Sequence, residues 1–282
     1  MRIFFYTGFA LTAFAFNSIL CRMALGQGEA DAVGFTVVRL AAGAATLAVI
    51  LALSNKTKSI AESGHWISAF FLFAYAICFS IAYLGLTTGT GALILFGAVQ
   101  ITMIAAAAIK GDRPGIWELA GVAVAFGGLV YLVLPGLTAP PLLSSALMAA
   151  AGAAWGFYTL RGKGSTDPLA ETAGNFIRSV PMIVLTAIPF IGGIHLSGRG
   201  FVLAVLSGAI ASGVGYSVWY AALRYHTATR AAVLQLAVPV IAAIGGVLLL
   251  AETAGVRLLI AGVLILGGIS IAIFGRSSYR KL

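Results

Sequence analysis

The sequence predicts an all-α membrane protein of ten transmembrane helices, built as two inverted five-helix repeats with both termini cytoplasmic. Three observations predict it. Only 9% of the 282 residues are charged and the mean hydropathy is +1.05, where a water-facing domain carries about 25% charged residues. Apolar runs long enough to cross a hydrocarbon core of about 30 Å alternate with short breaks rich in Gly, Pro or charge. The second half of the chain also echoes the first.

The first run, 3–22, is longer than the apolar core of a secretion signal and no small-residue cleavage site follows it, so it reads as a retained span. It ends at GQGEAD, and the second, 32–53, ends at SNKTKSIAESG. The third and fourth, 66–86 and 90–109, are parted only by TTGTG, the weakest break in the chain. KGDRPG precedes the fifth, 116–134, and PGLTAPP the sixth, 142–160. RGKGSTDP, the stretch from Gly192 to Arg199, RYHTATR and AETAG then set off 171–191, 200–222, 231–250 and 257–275.

Lys and Arg are retained on the cytoplasmic side of a membrane. With the N-terminus inside, the inner set is Arg2, Lys56, Lys58, Lys110, Arg113, Arg161, Lys163, Arg224, Arg230, Arg276, Arg280 and Lys281, and the outer set is Arg22, Arg199 and Arg257. That bias puts both termini inside. The surplus of base over acid is spread singly or in pairs between apolar runs, so it sets topology and predicts no nucleic-acid partner.

The echo runs at a nearly constant offset of about 140 residues. Phe16 and Arg22 meet Trp155 and Arg161, Arg39 meets Arg178, and Ala98-Val99 meets Ala237-Val238. Asp112 meets Glu252, and Gly127-Gly128 meets Gly267-Gly268. The repeats are then 1–136 and 137–282. Five spans is an odd number, so the second repeat enters the membrane from the opposite side, the architecture of alternating-access carriers.

At these residues the chain resembles the drug/metabolite transporter superfamily, in its ten-helix branch of paired EamA-type repeats. Trp155-Gly156, Arg161, Arg178, Ala237-Val238-Pro239, Leu250-Ala251-Glu252, Gly262, Gly267 and Gly268 carry the resemblance. The first half departs from it, with Phe16-Asn17 for Trp-Gly, Gln100 for the proline and Gly111-Asp112 for Gly-Glu. Within the branch the chain is most similar to bacterial exporters of aromatic and other amino acids. The resemblance implies a multi-pass exporter of the bacterial inner membrane; the expected partners are a small-molecule substrate and membrane lipid, with no cofactor and a monomer favoured over an oligomer.

Phe71, Tyr75, Phe79 and Tyr83 recur at a spacing of four in the third span, which strings them along one slowly drifting helix face. Tyr216 and Tyr220 repeat the spacing in the eighth span, and Trp155 and Tyr158 share a face of the sixth. Together they predict an aromatic chamber, which binds rings by stacking and edge contacts and also attracts organic cations. Trp66, Trp117 and Tyr131, near span ends, read as interfacial anchors.

Arg39 and Arg178 lie inside spans, where a central arginine costs about 2.5–3.5 kcal/mol and calls for a compensating role. A substrate carboxylate and a helix-end carbonyl are the two alternatives. Asn17, Gln100 and Gln235 are amides in apolar helices, suited to bonding a neighbouring helix or a solute. Pro239 supplies no N–H to the carbonyl of Gln235, leaving an acceptor beside that amide.

No enzyme is legible: no nucleophile with its base, carboxylate pair or metal-ligand set falls in the spans, and His65, His195 and His226 lie in breaks. Cys21 and Cys78 sit singly in apolar runs. The expected activity is export of aromatic and other apolar amino acids, or similar metabolites, by facilitated alternating access. The alternatives are a phosphorylated-sugar or nucleotide-sugar carrier, with Arg39 and Arg178 clamping phosphate, and a proton-coupled drug exporter, for which the first span lacks a glutamate. Cysteine-labelling scans in intact cells should find 136–141 outside and 54–63 inside. Labelling of 136–141 from the cytoplasm alone would remove the inversion.

Overall fold

A computed structural model describes residues 2–54, 63–109, 115–134, 139–162, 165–223, 225 and 234–279. Among them there is no strand, only an isolated bridge between Ala30 and Leu196. The helices are α1 (Arg2–Gly26), α2 (Ala32–Leu53), α3 (Trp66–Ala82), α4 (Thr88–Ile109), α5 (Ile116–Val133) and α6 (Leu142–Gly162). They continue with α7 (Pro168–Ala187), prolonged by a 3-10 stretch at Ile188–Gly193, and α8, in which Gly198–Leu206 and Gly215–Leu223 flank a π-helical stretch at Ser207–Val214. The last two are α9 (Ala237–Leu250) and α10 (Val256–Tyr279).

Six of these helices are long and apolar enough to cross a membrane, and Trp66–Ala82, Leu119–Val133, Ala237–Leu250 and Val256–Ala272 are shorter apolar helices that bring the described set to ten. The periphery is apolar: Leu142, Leu185, Ile191, Leu248 and Val263 are all more than half exposed. Asn17, Arg39, Ser207 and Ser212 are buried. This inverts the plan of a water-soluble domain and suits a bundle solvated by lipid, so the chain is a multi-pass membrane protein.

Caps mark several helix starts. Asp31 accepts from Val33 N and Gly34 N before α2, Asp167 accepts from Ala170 N before α7 with Pro168 in its first turn, and Ser197 accepts from Gly200 N before α8. Other ends differ from the sequence expectation. α1 runs past Arg22 to Gly26, so Arg22 is a helical residue rather than a loop charge, and α3 stops at Ala82, which leaves Tyr83 in the turn toward α4. Near Pro239 the helix is interrupted as the missing N–H predicts: Leu234 and Gln235 are helical, Leu236 is a turn, and α9 begins at Ala237. Residues 231–233 of the expected ninth span, 135–138 of the connection, and Lys56, Lys58, Glu62, Lys110, Asp112, Arg113, Lys163, Arg224, His226, Arg230, Arg280 and Lys281 lie outside the described residues.

α6 packs on α3 and α4, α2 on α7 and the π stretch of α8, and α1 on α8 and α9, enclosing a common centre. α5 packs chiefly on α10, where Gly121 faces the backbone of Gly268 and Ala272. The α2–α8 crossing is equally close. A Cβ on Gly208 would overlap the Arg39 carbonyl, so only glycine lets the π stretch lie directly against α2. Gly208→Val should therefore lower the thermal midpoint in detergent by at least about 3 °C, as overpacking costs about 1–3 kcal/mol. Gly267→Ala, where nothing lies within 4 Å of the added carbon, should leave it unchanged or raise it. Equal behaviour of the two variants would contradict this packing.

Candidate functional site

The bundle centre holds a small cavity of ≈ 10 Å³, about the least space that admits one water. α1 contributes Phe14, Asn17 and Ser18, α3 Tyr75 and Phe79, and α4 Leu95 and Phe96. Trp155 of α6 and Tyr216 of α8 close it. Its walls therefore come from helices of both halves of the chain.

The rings form one contiguous cluster. Trp155 lies 4.7 Å from Tyr216 and 5.0 Å from Tyr75 between centroids, and Tyr75 lies 5.3 Å from Phe79. Phe14 meets Trp155, Tyr216 and Trp219 edge-on at 6.2, 5.7 and 5.7 Å. Each such pair contributes about 0.5–1.5 kcal/mol beyond its burial.

A polar chain runs through this aromatic wall. The Tyr75 hydroxyl accepts from Asn17 Nδ2 and from Arg39 Nη2, both at 3.1 Å. Ser207 Oγ donates to Asn17 Oδ1 at 2.6 Å, and Arg39 Nε donates to Ser212 Oγ at 3.4 Å. The π stretch explains how α8 offers both serines. Five residues apart, they would point about 140° apart on an α-helix, whereas the wider π turn brings such positions to neighbouring places on one side. Arg39 is 1% exposed, with its Cζ 5.2 and 5.0 Å from the Tyr75 and Phe79 ring centres.

The structure thus brings together Asn17, Arg39, Tyr75, Phe79, Trp155 and Tyr216 of the residues expected from sequence. Others lie elsewhere. Tyr83 is buried at the turn after α3, packed on Gly91 with its hydroxyl donating to Thr88 O at 3.3 Å. Tyr158 and Tyr220 line a second small cavity with Glu171, Thr172 and Asn175. Arg178 donates to Ser63 O at 2.6 Å and Gly174 O at 3.0 Å, the carbonyl alternative. Gln100 and Gln235 are buried but line neither cavity, and Gln100 Nε2 finds no partner among the described residues. Phe71 stacks on Phe157 at 5.3 Å. Sequence reasoning missed Phe14, Ser18, Ser207 and Ser212.

Both ends of the bundle are tied across the two halves. At the end carrying the α1–α2 connection, Arg22 pairs with Glu252 at 3.3 Å and donates to Tyr83 O at 2.9 Å, while Glu252 also accepts from Thr88 N at 2.8 Å at the start of α4. Ala251 in left-handed conformation, φ 53°, turns the chain so that Glu252 can reach both. Glu29 pairs with Arg199 and accepts from Ser197, and Asp31 accepts from His195 N. At the opposite end the ties are the Arg178 bond to Ser63, His65 N donating to Asn175 Oδ1 at 2.8 Å, and Arg161 Nε donating to Ser68 Oγ at 3.0 Å.

The partly exposed Arg22–Glu252 pair is of the class that contributes up to about 1 kcal/mol. Glu252→Gln should make a cysteine placed at position 18, in a chain with Cys21 and Cys78 replaced by Ala, react about threefold faster with an impermeant maleimide from that end. An unchanged rate would mean that the carboxylate does not hold the end shut.

Comparison with known proteins agrees with this geometry. The EamA-like transporter family matches residues 142–274. An uncharacterized protein of Pseudomonas aeruginosa is 49% identical over 98% of this chain and 96% of its own length. Two proteins named "Probable amino-acid metabolite efflux pump", of Salmonella typhimurium and Escherichia coli, are 27% and 26% identical over 71% of this chain and 72% of theirs. A crystal structure shares the fold with a TM-score of 0.68 over 95% of both chains at 18% identity. A ten-helix bundle with a central cavity, the match across α6–α10 and the full-length relative lead to one conclusion: the chain belongs to the EamA-like transporter family of the drug/metabolite transporter superfamily.

Proposed function

We propose that the protein exports amino acids, aromatic and other apolar ones, or metabolites like them, across the bacterial inner membrane by facilitated alternating access. The observation that carries this reading is the central cavity, walled by rings from both halves together with the Asn17 amide, and closed at both ends by ties that cross between the halves. Rocking the halves, 1–136 against 137–282, would break one set of ties at a time and open the cavity to each side in turn. The names of the enteric relatives support amino-acid metabolites as cargo.

The placement of the titratable groups supports facilitation. Coupling to protons needs a carboxylate or histidine that faces the site and changes its proton affinity between conformations. Among the described residues none lines the cavity. Glu29, Asp31, Asp167, Glu171 and Glu252 all lie at or near helix ends; the side chain of Glu118 lies outside the described residues. The two-arginine phosphate clamp loses support because Arg178 is engaged with backbone carbonyls.

Phenylalanine-loaded proteoliposomes should take up labelled external phenylalanine, and Trp155→Ala together with Tyr75→Ala should cut the initial rate at least about tenfold, the loss of several ring contacts. A pH gradient imposed with the membrane potential clamped should drive no accumulation above equilibrium. Sustained accumulation would overturn facilitation and point to Glu118 and Glu171.

A further inference from the structure

Arg39 is a full cation, since a guanidinium stays protonated in proteins, and it is buried. Its bonds go to the hydroxyls of Tyr75 and Ser212, and Nη1 has no hydrogen-bond partner among the described residues. No acidic residue is paired with it among the described residues. Arg178, its counterpart in the second half, differs: it binds two carbonyls. A buried charge is normally paired, because unpaired burial costs far more than a surface charge gains. Five donors with two engaged, set in a fork that matches a carboxylate, describe a receptor for an anion.

The place of that receptor is equally specific. The guanidinium lies over the rings of Tyr75 and Phe79, both cavity walls, and Tyr75 joins it to Asn17. A solute in the cavity would meet the Tyr75 hydroxyl and the Asn17 amide first, and would reach Arg39 by displacing that hydroxyl. Lysine could supply the charge there but not the planar fork.

We propose that the transported solute carries a carboxylate and that Arg39 is its counter-ion, with Asn17 and Tyr75 positioning the same group. This rests on the transport reading above. Displacement of Tyr75 and Ser212 from Arg39 would then loosen α2 from α3 and α8 when the solute is bound, so the anion would be recognised and the ties between helices changed in one step.

Three probes that share a ring test it in purified protein by thermal-shift titration: 3-phenylpropionate with the carboxylate alone, phenylethylamine with the amine alone, and L-phenylalanine with both. The wild type should bind 3-phenylpropionate and phenylalanine at least tenfold more tightly than phenylethylamine. Arg39→Gln should lose at least tenfold for the two carboxylates and nothing for the amine, with Arg39→Lys between. Equal binding of acid and amine by the wild type, no binding of either acid, or undiminished acid binding by Arg39→Gln would each overturn the proposal, and the wild-type comparison decides even if Arg39→Gln does not fold. Counterflow separates it from the transport reading. Arg39-dependent binding of acids without exchange would overturn transport and keep the anion site; exchange of L-phenylalaninamide as fast as phenylalanine would keep transport and overturn the anion site.

Discussion

A single guanidinium closed off from water sets the terms for this bundle. Arg39 is 1% exposed within helices whose outer faces are apolar, and a cation so placed must draw polar groups toward itself. It does so from three directions: Tyr75 on α3, Ser212 on α8 and, through the Tyr75 hydroxyl, Asn17 on α1. The π stretch of α8 and the bare Gly208 against the α2 backbone are the local departures that let α8 come close enough to serve both Arg39 and Asn17. The aromatic cavity beside this polar chain is the consequence: rings fill the space that the converging helices leave, and the Asn17 amide and the hydroxyls of Ser18, Tyr75 and Tyr216 line its edge.

The chemistry of the two closures differs. The end with the α1–α2 connection is held by carboxylates, Glu252 on Arg22 and Glu29 on Arg199, and by Asp31 on the His195 backbone. The other end is held by bonds in which arginines and an amide meet backbone groups and a serine. Neither set is deeply buried, so each is of modest strength. Modest strength suits a carrier, because a closure worth many kcal/mol would hold the protein in one conformation.

Much of this was legible in the sequence, and the parts that were not have physical causes. The spans were plain because lipid demands apolar length. Asn17, Arg39, Tyr75, Trp155 and Tyr216 could be picked out because a polar or large aromatic group in such a span is conspicuous. The family match falls on α6–α10, the half where Trp155-Gly156, Pro239 and Glu252 follow the family pattern, while Phe16-Asn17 and Gln100 depart from it in the first half. The stripe from Phe71 to Tyr83 misled because a step of four residues drifts about 40° around a helix. Its two ends therefore lie about 120° apart, one on Phe157 and the other at Thr88 and Gly91. Ser207 and Ser212 were invisible because a run of Gly, Ala and Ser carries no periodicity that distinguishes a π turn from an α turn. Phe14 looked like any apolar residue of a span until three other rings converged on it.

In the proposed transport, solute is held in the cavity beside Trp155. A chain that keeps Trp155 as its sole tryptophan, with Trp66, Trp117 and Trp219 replaced by Phe, tests it most directly by fluorescence titration with L-phenylalanine. Solute in the cavity should give a saturable change in Trp155 emission at the concentrations that half-saturate exchange. Undiminished exchange with no change in Trp155 emission would contradict it, because the solute would then cross by a route that avoids the cavity.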